Sequence, residues 1–169
     1  MANFDLAYQK TALFEGAGLT NDPADRGGMT FAGISRKSNP EWSGWAAVDA
    51  EDLEAAKALL KPFYKSEYWD RLMLGQLLNQ LLSEELFDTA VNCGKRKAVT
   101  ILQGALNLLL QDVSSDGVMG YKTLAAANAY KYPKSLLKVM NGLQFEHYRA
   151  LCAKDPSQLR FFRGWMERV

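Results

Sequence analysis

Phe4, Ala7, Thr11 and Phe14 recur at steps of three, four and three, which puts them on one face and predicts a helix over 3–14. Gly16-Ala17-Gly18 stops it, because glycine gives up the most conformational freedom on entering a helix. From 16 to 45 the period dissolves among Gly, Pro, Asn, Asp and Ser, and 29–34 suits short strands or an irregular loop. Asp49 reads as an N-cap, with Asp52 at the third helical position and Val48 and Leu53 placed as a hydrophobic staple. Leu53, Ala56 and Leu60 continue that face until Pro62 ends or kinks the helix. A further helix runs over 83–93 and is closed by Gly94. The next, over 95–110, is apolar nearly all round (Ala98, Ile101, Leu102, Ala105, Leu106, Leu108, Leu109), which predicts the buried central helix. A turn-rich loop over 112–120 leads to a short helix over 121–130 and a long one from Pro133 through Cys152. Pro156-Ser157 open the last helix, where Phe161, Trp165 and Val169 stand four apart. The pattern is mainly α, with a small hairpin or irregular loop region after the first helix. It carries no repeat and no clear linker. It reads as two lobes, 1–80 and 81–169, packed as one globular unit.

Composition narrows the chemistry. With 169 residues, 48% of them hydrophobic, the chain can bury one sizeable core. Twenty Lys+Arg against nineteen Asp+Glu leave a formal net charge of +1, which argues against a nucleic-acid binder resting on phosphate contacts. No apolar run approaches the ~18 residues of a membrane helix, and 77–82 and 105–110 are broken by Asn79, Gln80 and Asn107. Met1-Ala2-Asn3-Phe4-Asp5 shows neither the basic nor the apolar region of a secretory signal, so synthesis in the cytoplasm is expected. Cys93 and Cys152 are too few for a disulfide framework and are expected to be free, buried thiols. A single histidine, His147, makes a histidine triad improbable and is expected to be structural or exposed. Asp112-Val-Ser114-Ser-Asp116-Gly117 starts like a calcium loop, but its twelfth position is Thr123, where a bidentate Glu is required. No metal and no cofactor are expected. The chemistry falls to carboxylates.

Those carboxylates gather in residues 15–35. Glu15 ends an apolar helix, and both the negative helix C-terminus and partial burial beside Phe14 would favour its protonated form. An acid still protonated near neutrality is what glycoside cleavage needs to protonate the leaving oxygen. The second requirement is an ionised carboxylate in a polar loop, and Asp22 and Asp25 both qualify. Thr30 could help hold a water, and Arg26 could pair with Asp25 and keep it charged. The residues alone suit a second reading equally: a solvated helix end followed by ordinary Asp-Pro and Gly-Gly turn formers.

Glu15-Gly16, Asn21-Asp22-Pro23, Asp25-Arg26-Gly27-Gly28-Met29-Thr30 and Gly33-Ile34-Ser35 together resemble the signature of glycoside hydrolase family 108. The resemblance continues through Tyr68-Trp69-Asp70 and through Phe87-Asp88-Thr89-Ala90-Val91-Asn92-Cys93-Gly94. Leu102-Gln103, Asp116-Gly117-Val118-Met119-Gly120 and Phe162-Arg163-Gly164-Trp165 extend it into a C-terminal half similar to a peptidoglycan-binding region. It spans nearly the whole chain, in order.

Such a resemblance implies a lysozyme-like fold and an N-acetylmuramidase that cuts the β-1,4 bond between N-acetylmuramic acid and N-acetylglucosamine. It assigns Glu15 as the catalytic acid and, by analogy with lysozyme-like phage enzymes, Asp25 and Thr30 as its partners. Asp22, Arg26, Tyr68, Trp69 and Asn92 are then candidates for contact with the glycan. Trp69 suits core packing as well, Trp42 and Trp45 suit a lid or the core, and Asp88 and Thr89 suit a buried polar network. Two departures stand out. Gly16-Ala17-Gly18-Leu19-Thr20 is one residue longer than the family's Glu-Gly-Gly-aromatic stretch and lacks the ring, and Tyr121 replaces a usual proline. The implied setting is a monomer acting on peptidoglycan, without membrane insertion. It would reach the wall through holin lesions, as a phage endolysin does, or by a secretion route. Two alternatives remain at this level: a non-catalytic wall-binding or secretion-accessory protein, and a chitinase-type glycosidase.

Overall fold

The computed structural model describes residues 1–15, 18–20 and 28–169, with 13–15 described for backbone only. Two compact units emerge: Phe4–Arg71, and Leu72–Val169 together with Met1–Asn3.

The first unit opens with α1 (Phe4–Glu15), whose Phe4, Ala7 and Thr11 are buried, the face that the spacing predicts. Strands β1 (Leu19–Thr20), β2 (Thr30–Phe31) and β3 (Ile34–Ser35) form an antiparallel sheet in that order, pairing Thr20 with Thr30 and Phe31 with Ile34. Ala32 and Gly33, at φ 45° and 81°, make the two-residue turn between β2 and β3. Positive φ at both central positions matches the right-handed twist of a hairpin, though alanine adopts it at a cost. The Tyr64 hydroxyl donates to the Ala32 carbonyl at 2.8 Å and holds the turn in place.

Residues 16–45, expected to lack a helix, lead directly into one: α2 (Gly44–Asp49) buries Trp45 and Val48. Asp49 is therefore the end of a helix, and its role as an N-cap is corrected. Its carboxylate instead takes both guanidinium nitrogens of Arg36, at 2.6 and 2.7 Å, and this pairing holds its pKa below the usual value. The cap of α3 (Leu53–Ala58) is Asp52, which accepts from the Ala55 amide at 3.0 Å. Pro62 acts as expected: α3 stops at Ala58, the carbonyl four residues before the proline ring, and α4 (Leu60–Tyr64) starts anew. Lys65–Asp70 continues as a π-helical turn. The core is aromatic: Phe31 stacks on Trp42, Trp42 meets Trp45 edge-on at 5.0 Å, and Phe63, Tyr64, Tyr8 and Phe4 extend the chain of rings.

In the second unit α5 (Gln80–Cys93) is capped by Asn79, which accepts from Leu82 N at 2.9 Å. The N-terminus is pinned there too, by Ala2 N to Leu77 O and by a reciprocal Asn3–Gln80 pair. Helix α6 (Lys95–Leu108) packs on α5, on α7 (Tyr121–Ala129) and on α8 (Pro133–Lys154), and is the central helix expected. Its apolar band is not continuous, since Leu108 is 64% exposed. A last helix, α9 (Leu159–Met166), has no fully buried residue and lies against α8 through Phe162 on Phe145 and Trp165 on Tyr148.

The loop before α7 is organised by one side chain. Gln103, 1% exposed, accepts from Gly117 N at 2.8 Å and donates to Asp116, Val118 O and Thr123. The amide of Val118 and that of Gln103 hold the Asp116 carboxylate below its usual pKa. Gly117 sits at φ +73°, and a Cβ there would come within 2.6 Å of Arg96 Cγ and 3.0 Å of the Arg96 carbonyl. Gly117→Ala is therefore expected to cost more than about 1 kcal/mol, since a left-handed residue is replaced at a crowded site. Urea denaturation measures it, and an unchanged midpoint would contradict the strain argument.

Candidate active site

Glu15 is the final residue of α1, a helix with no basic residue in its last turn. Asp22, Asp25 and Arg26 lie outside the described residues. Thr30 stands on the central strand β2, half-buried, and its hydroxyl donates to the Gly28 carbonyl at 3.2 Å. Thr20 across the ladder donates to the Thr30 carbonyl at 3.4 Å. The hairpin thus fixes Thr30 on both sides of its backbone.

Tyr68-Trp69-Asp70 closes the π-helical turn, whose wider spacing lets Tyr64, Tyr68 and Trp69 all reach the aromatic core. Trp69 is 4% exposed and meets Phe4 edge-on at 5.5 Å, so its indole is part of the core and offers no open sugar platform. Trp42 and Trp45 are likewise buried, at 7% and 3%. Tyr68 remains half-buried, its ring against Phe63 and Tyr64. Asp70 is held by Lys65 at 2.8 Å. Through Phe4 and Tyr8, this aromatic wall buttresses the start of α1, the helix that ends at Glu15.

Asn92, a candidate for contact with substrate, lies in the other unit. Its side-chain nitrogen donates to the Tyr148 hydroxyl at 2.7 Å, and Gln144 donates to the same oxygen at 3.0 Å. Cys93 Sγ lies 3.3 Å away. Burial raises the pKa of Tyr148 and that of Cys93, so both stay neutral at physiological pH. Thr89 joins this network through Gln144 Oε1, and Asp88 pairs with Arg168 at 3.0 Å, the buried polar network expected of these two residues. Cys93 and Cys152 are free thiols. His147 is partly buried, and burial with Lys97 nearby lowers its pKa.

One concavity went unseen in the sequence. Asn39, Glu41, Trp42, Pro62, Phe63 and Arg71 are among the residues lining an open groove of about 620 Å³ in the first unit. Its residues come from two separate stretches of chain, 38–43 and 59–71, so no local motif announced it. Among the described residues, no group of His, Cys, Asp and Glu could hold a metal ion, and no helix is long and apolar enough to cross a membrane.

The trace as a whole is similar to the structure of Brucella abortus SagA, with a TM-score of 0.67 over 98% of this chain and 92% of that one, at 22% identity. None of the curated proteins compared with the chain matches it. The chain is a mainly α protein of lysozyme-like fold. It belongs to the glycosyl hydrolase 108 family, which it matches over residues 8–94, and a predicted peptidoglycan domain follows over 97–169. It is accordingly a peptidoglycan hydrolase of the N-acetylmuramidase type, with its own peptidoglycan-binding domain.

Proposed function

We propose that Glu15 is the general acid of this muramidase, that Asp25 is its ionised partner with Thr30 beside it, and that the enzyme serves host lysis as a monomer. The observation that carries the reading is the position of Glu15 at the C-terminal end of α1, with no basic residue in the last turn to offset the helix dipole. A carboxyl so placed is biased toward its protonated form. It can then protonate the glycosidic oxygen as the bond to N-acetylmuramic acid breaks. Asp25 either orients the attacking water or stabilises the oxocarbenium-like transition state. The Thr30 hydroxyl, held near Gly28 by its hydrogen bond, is placed on a fixed strand and not on a loose loop. Release from the cytoplasm through holin lesions or a secretion route completes the proposed setting.

Mass spectrometry of the products tests the reaction: released fragments should end in reducing N-acetylmuramic acid, and intact chitin oligomers should survive. Fragments ending only in reducing N-acetylglucosamine would overturn it. Asp25→Asn is expected to lower lysis far more than Asp22→Asn, because Asp22 precedes Pro23 and Asp-Pro is a common turn-forming pair in sequence. A folded but inactive Asp22→Asn, with Asp25→Asn still lytic, would move the role to Asp22.

A further inference from the structure

Between Asp116 and Glu146 the chain has no acidic residue but four lysines, Lys122, Lys131, Lys134 and Lys138, in a protein whose formal net charge is only +1. Three of these lysines gather where α7 turns into α8. Lys134 and Lys138 lie one turn apart on α8, and Lys131 precedes that helix; all three are exposed. None of the three has an ion-pair partner among the described residues. Lys131 is flanked by two rings, Tyr130 and Tyr132, whose centroids stand 6.0 Å apart at 75°. Tyr132 is 65% exposed. An exposed ring, Tyr132, beside the half-buried Tyr130 and interleaved with unpaired cations, in a stretch cleared of acids, suits a ligand that is both ring-faced and anionic.

We propose that this tyrosine–lysine surface is where the C-terminal domain grips peptidoglycan. The tyrosine rings stack on the C–H faces of the glycan sugars, and the lysines pair with free carboxylates of the peptide stems. The proposal rests on the assignment of residues 97–169 to a peptidoglycan domain and adds to it the residues that make the contact. Tyrosine suits the task because it brings a rigid ring at small entropic cost. The lysine component is screened by salt, and the ring component is not.

The test is co-sedimentation of the full chain with purified sacculi in the cold, beside hydrolysis of a short soluble muroglycan. Tyr130→Ala with Tyr132→Ala, and separately Lys131→Glu with Lys134→Glu and Lys138→Glu, should each weaken sedimentation about tenfold. Hydrolysis of the soluble glycan should be unchanged in both. Tyr132→Phe keeps the ring and should bind as the wild type does, which separates stacking from a loss of fold. On glycan strands stripped of their stems by an amidase, with the lactyl carboxylates this exposes capped as amides, the lysine variant should bind like the wild type while the tyrosine variant stays weak. If the wild type cuts the soluble glycan and both variants sediment as it does, the surface is wrong and the hydrolase stands. A wild type inert toward soluble glycan and sacculi alike overturns both. Variants that lose binding to phosphatidylglycerol vesicles but keep full binding to sacculi make the surface a lipid contact, which also overturns the proposal.

Discussion

Glu15→Gln should abolish lysis while leaving the far-ultraviolet spectrum and melting of the wild type intact. The substitution keeps the shape of the side chain and removes the proton that the leaving oxygen needs. General acid catalysis is worth ~10²–10⁴-fold, so a zymogram on purified peptidoglycan should show no clearing beside the wild type. More than about a tenth of wild-type turnover would sink the assignment, because it leaves too little for a catalytic proton to supply. The pH profile gives a second readout. On the proposed assignment, activity requires Glu15 protonated and Asp25 ionised, so it should fall on the acid side as Asp25 takes a proton and on the alkaline side as Glu15 loses one. His147 should shape neither limb. Burial and Lys97 lower its pKa, and it sits on α8 in the unit that does not hold Glu15. His147→Gln should therefore superimpose on the wild type, and an alkaline limb that moves with it would mean that another group gives the proton. Because peptidoglycan titrates too, a soluble muroglycan with its carboxyls capped as amides is the substrate for this measurement.

Where a helix buries one stripe, its period was legible in the sequence: α1, α5, α6, α7 and α8 appear within a few residues of their predicted bounds. The short helix α2 was hidden because its six residues, Gly44–Asp49, are too few to show a period, and Trp45 is held by the Trp42 ring instead. Asp49 and Asp52 show the same limit from the other side. Both suit a cap in sequence, and a contact thirteen residues away decides between them, since Arg36 takes Asp49. Trp69 was ambiguous for a related reason: a tryptophan in a sugar-handling enzyme suits a cleft as well as a core, and only the Phe4 ring shows which side it faces. A buried polar network at Thr89 was legible, but its link to Tyr148 was not, because Asn92 and Tyr148 are 56 residues apart and neither marks the other in sequence. That α1 ends at Glu15 was legible because a helix end followed by glycines is a local signal in sequence.

Arg168→Met should destabilise the second unit by about 3–5 kcal/mol, the loss expected when one partner of a buried ion pair is removed and the other charge stays behind. Arg168 and Asp88 are only 10% and 13% exposed, and they join the last turn of the chain to α5 at 3.0 Å. Other contacts at that end include Asn141 donating to the Val169 carbonyl at 2.8 Å, Trp165 stacked on Tyr148 with centroids 4.8 Å apart, and Phe162 against Phe145. Small domains have only about 5–15 kcal/mol in total, so the variant should unfold at a visibly lower urea concentration. Trp165 reports the same event locally, since losing its stack exposes the indole and shifts its emission to the red. Removing the stranded charge as well should restore much of the loss, because a buried pair contributes little over apolar groups of similar volume. Asp88→Leu in the Arg168→Met background is therefore expected to be more stable than Arg168→Met alone. If Arg168→Met melts with the wild-type midpoint and slope, the pair is a surface contact in solution and the C-terminal helix is held by its other contacts. If the double variant is less stable than the single one, the pair stabilises beyond mere neutralisation, and the cycle gives its coupling energy directly.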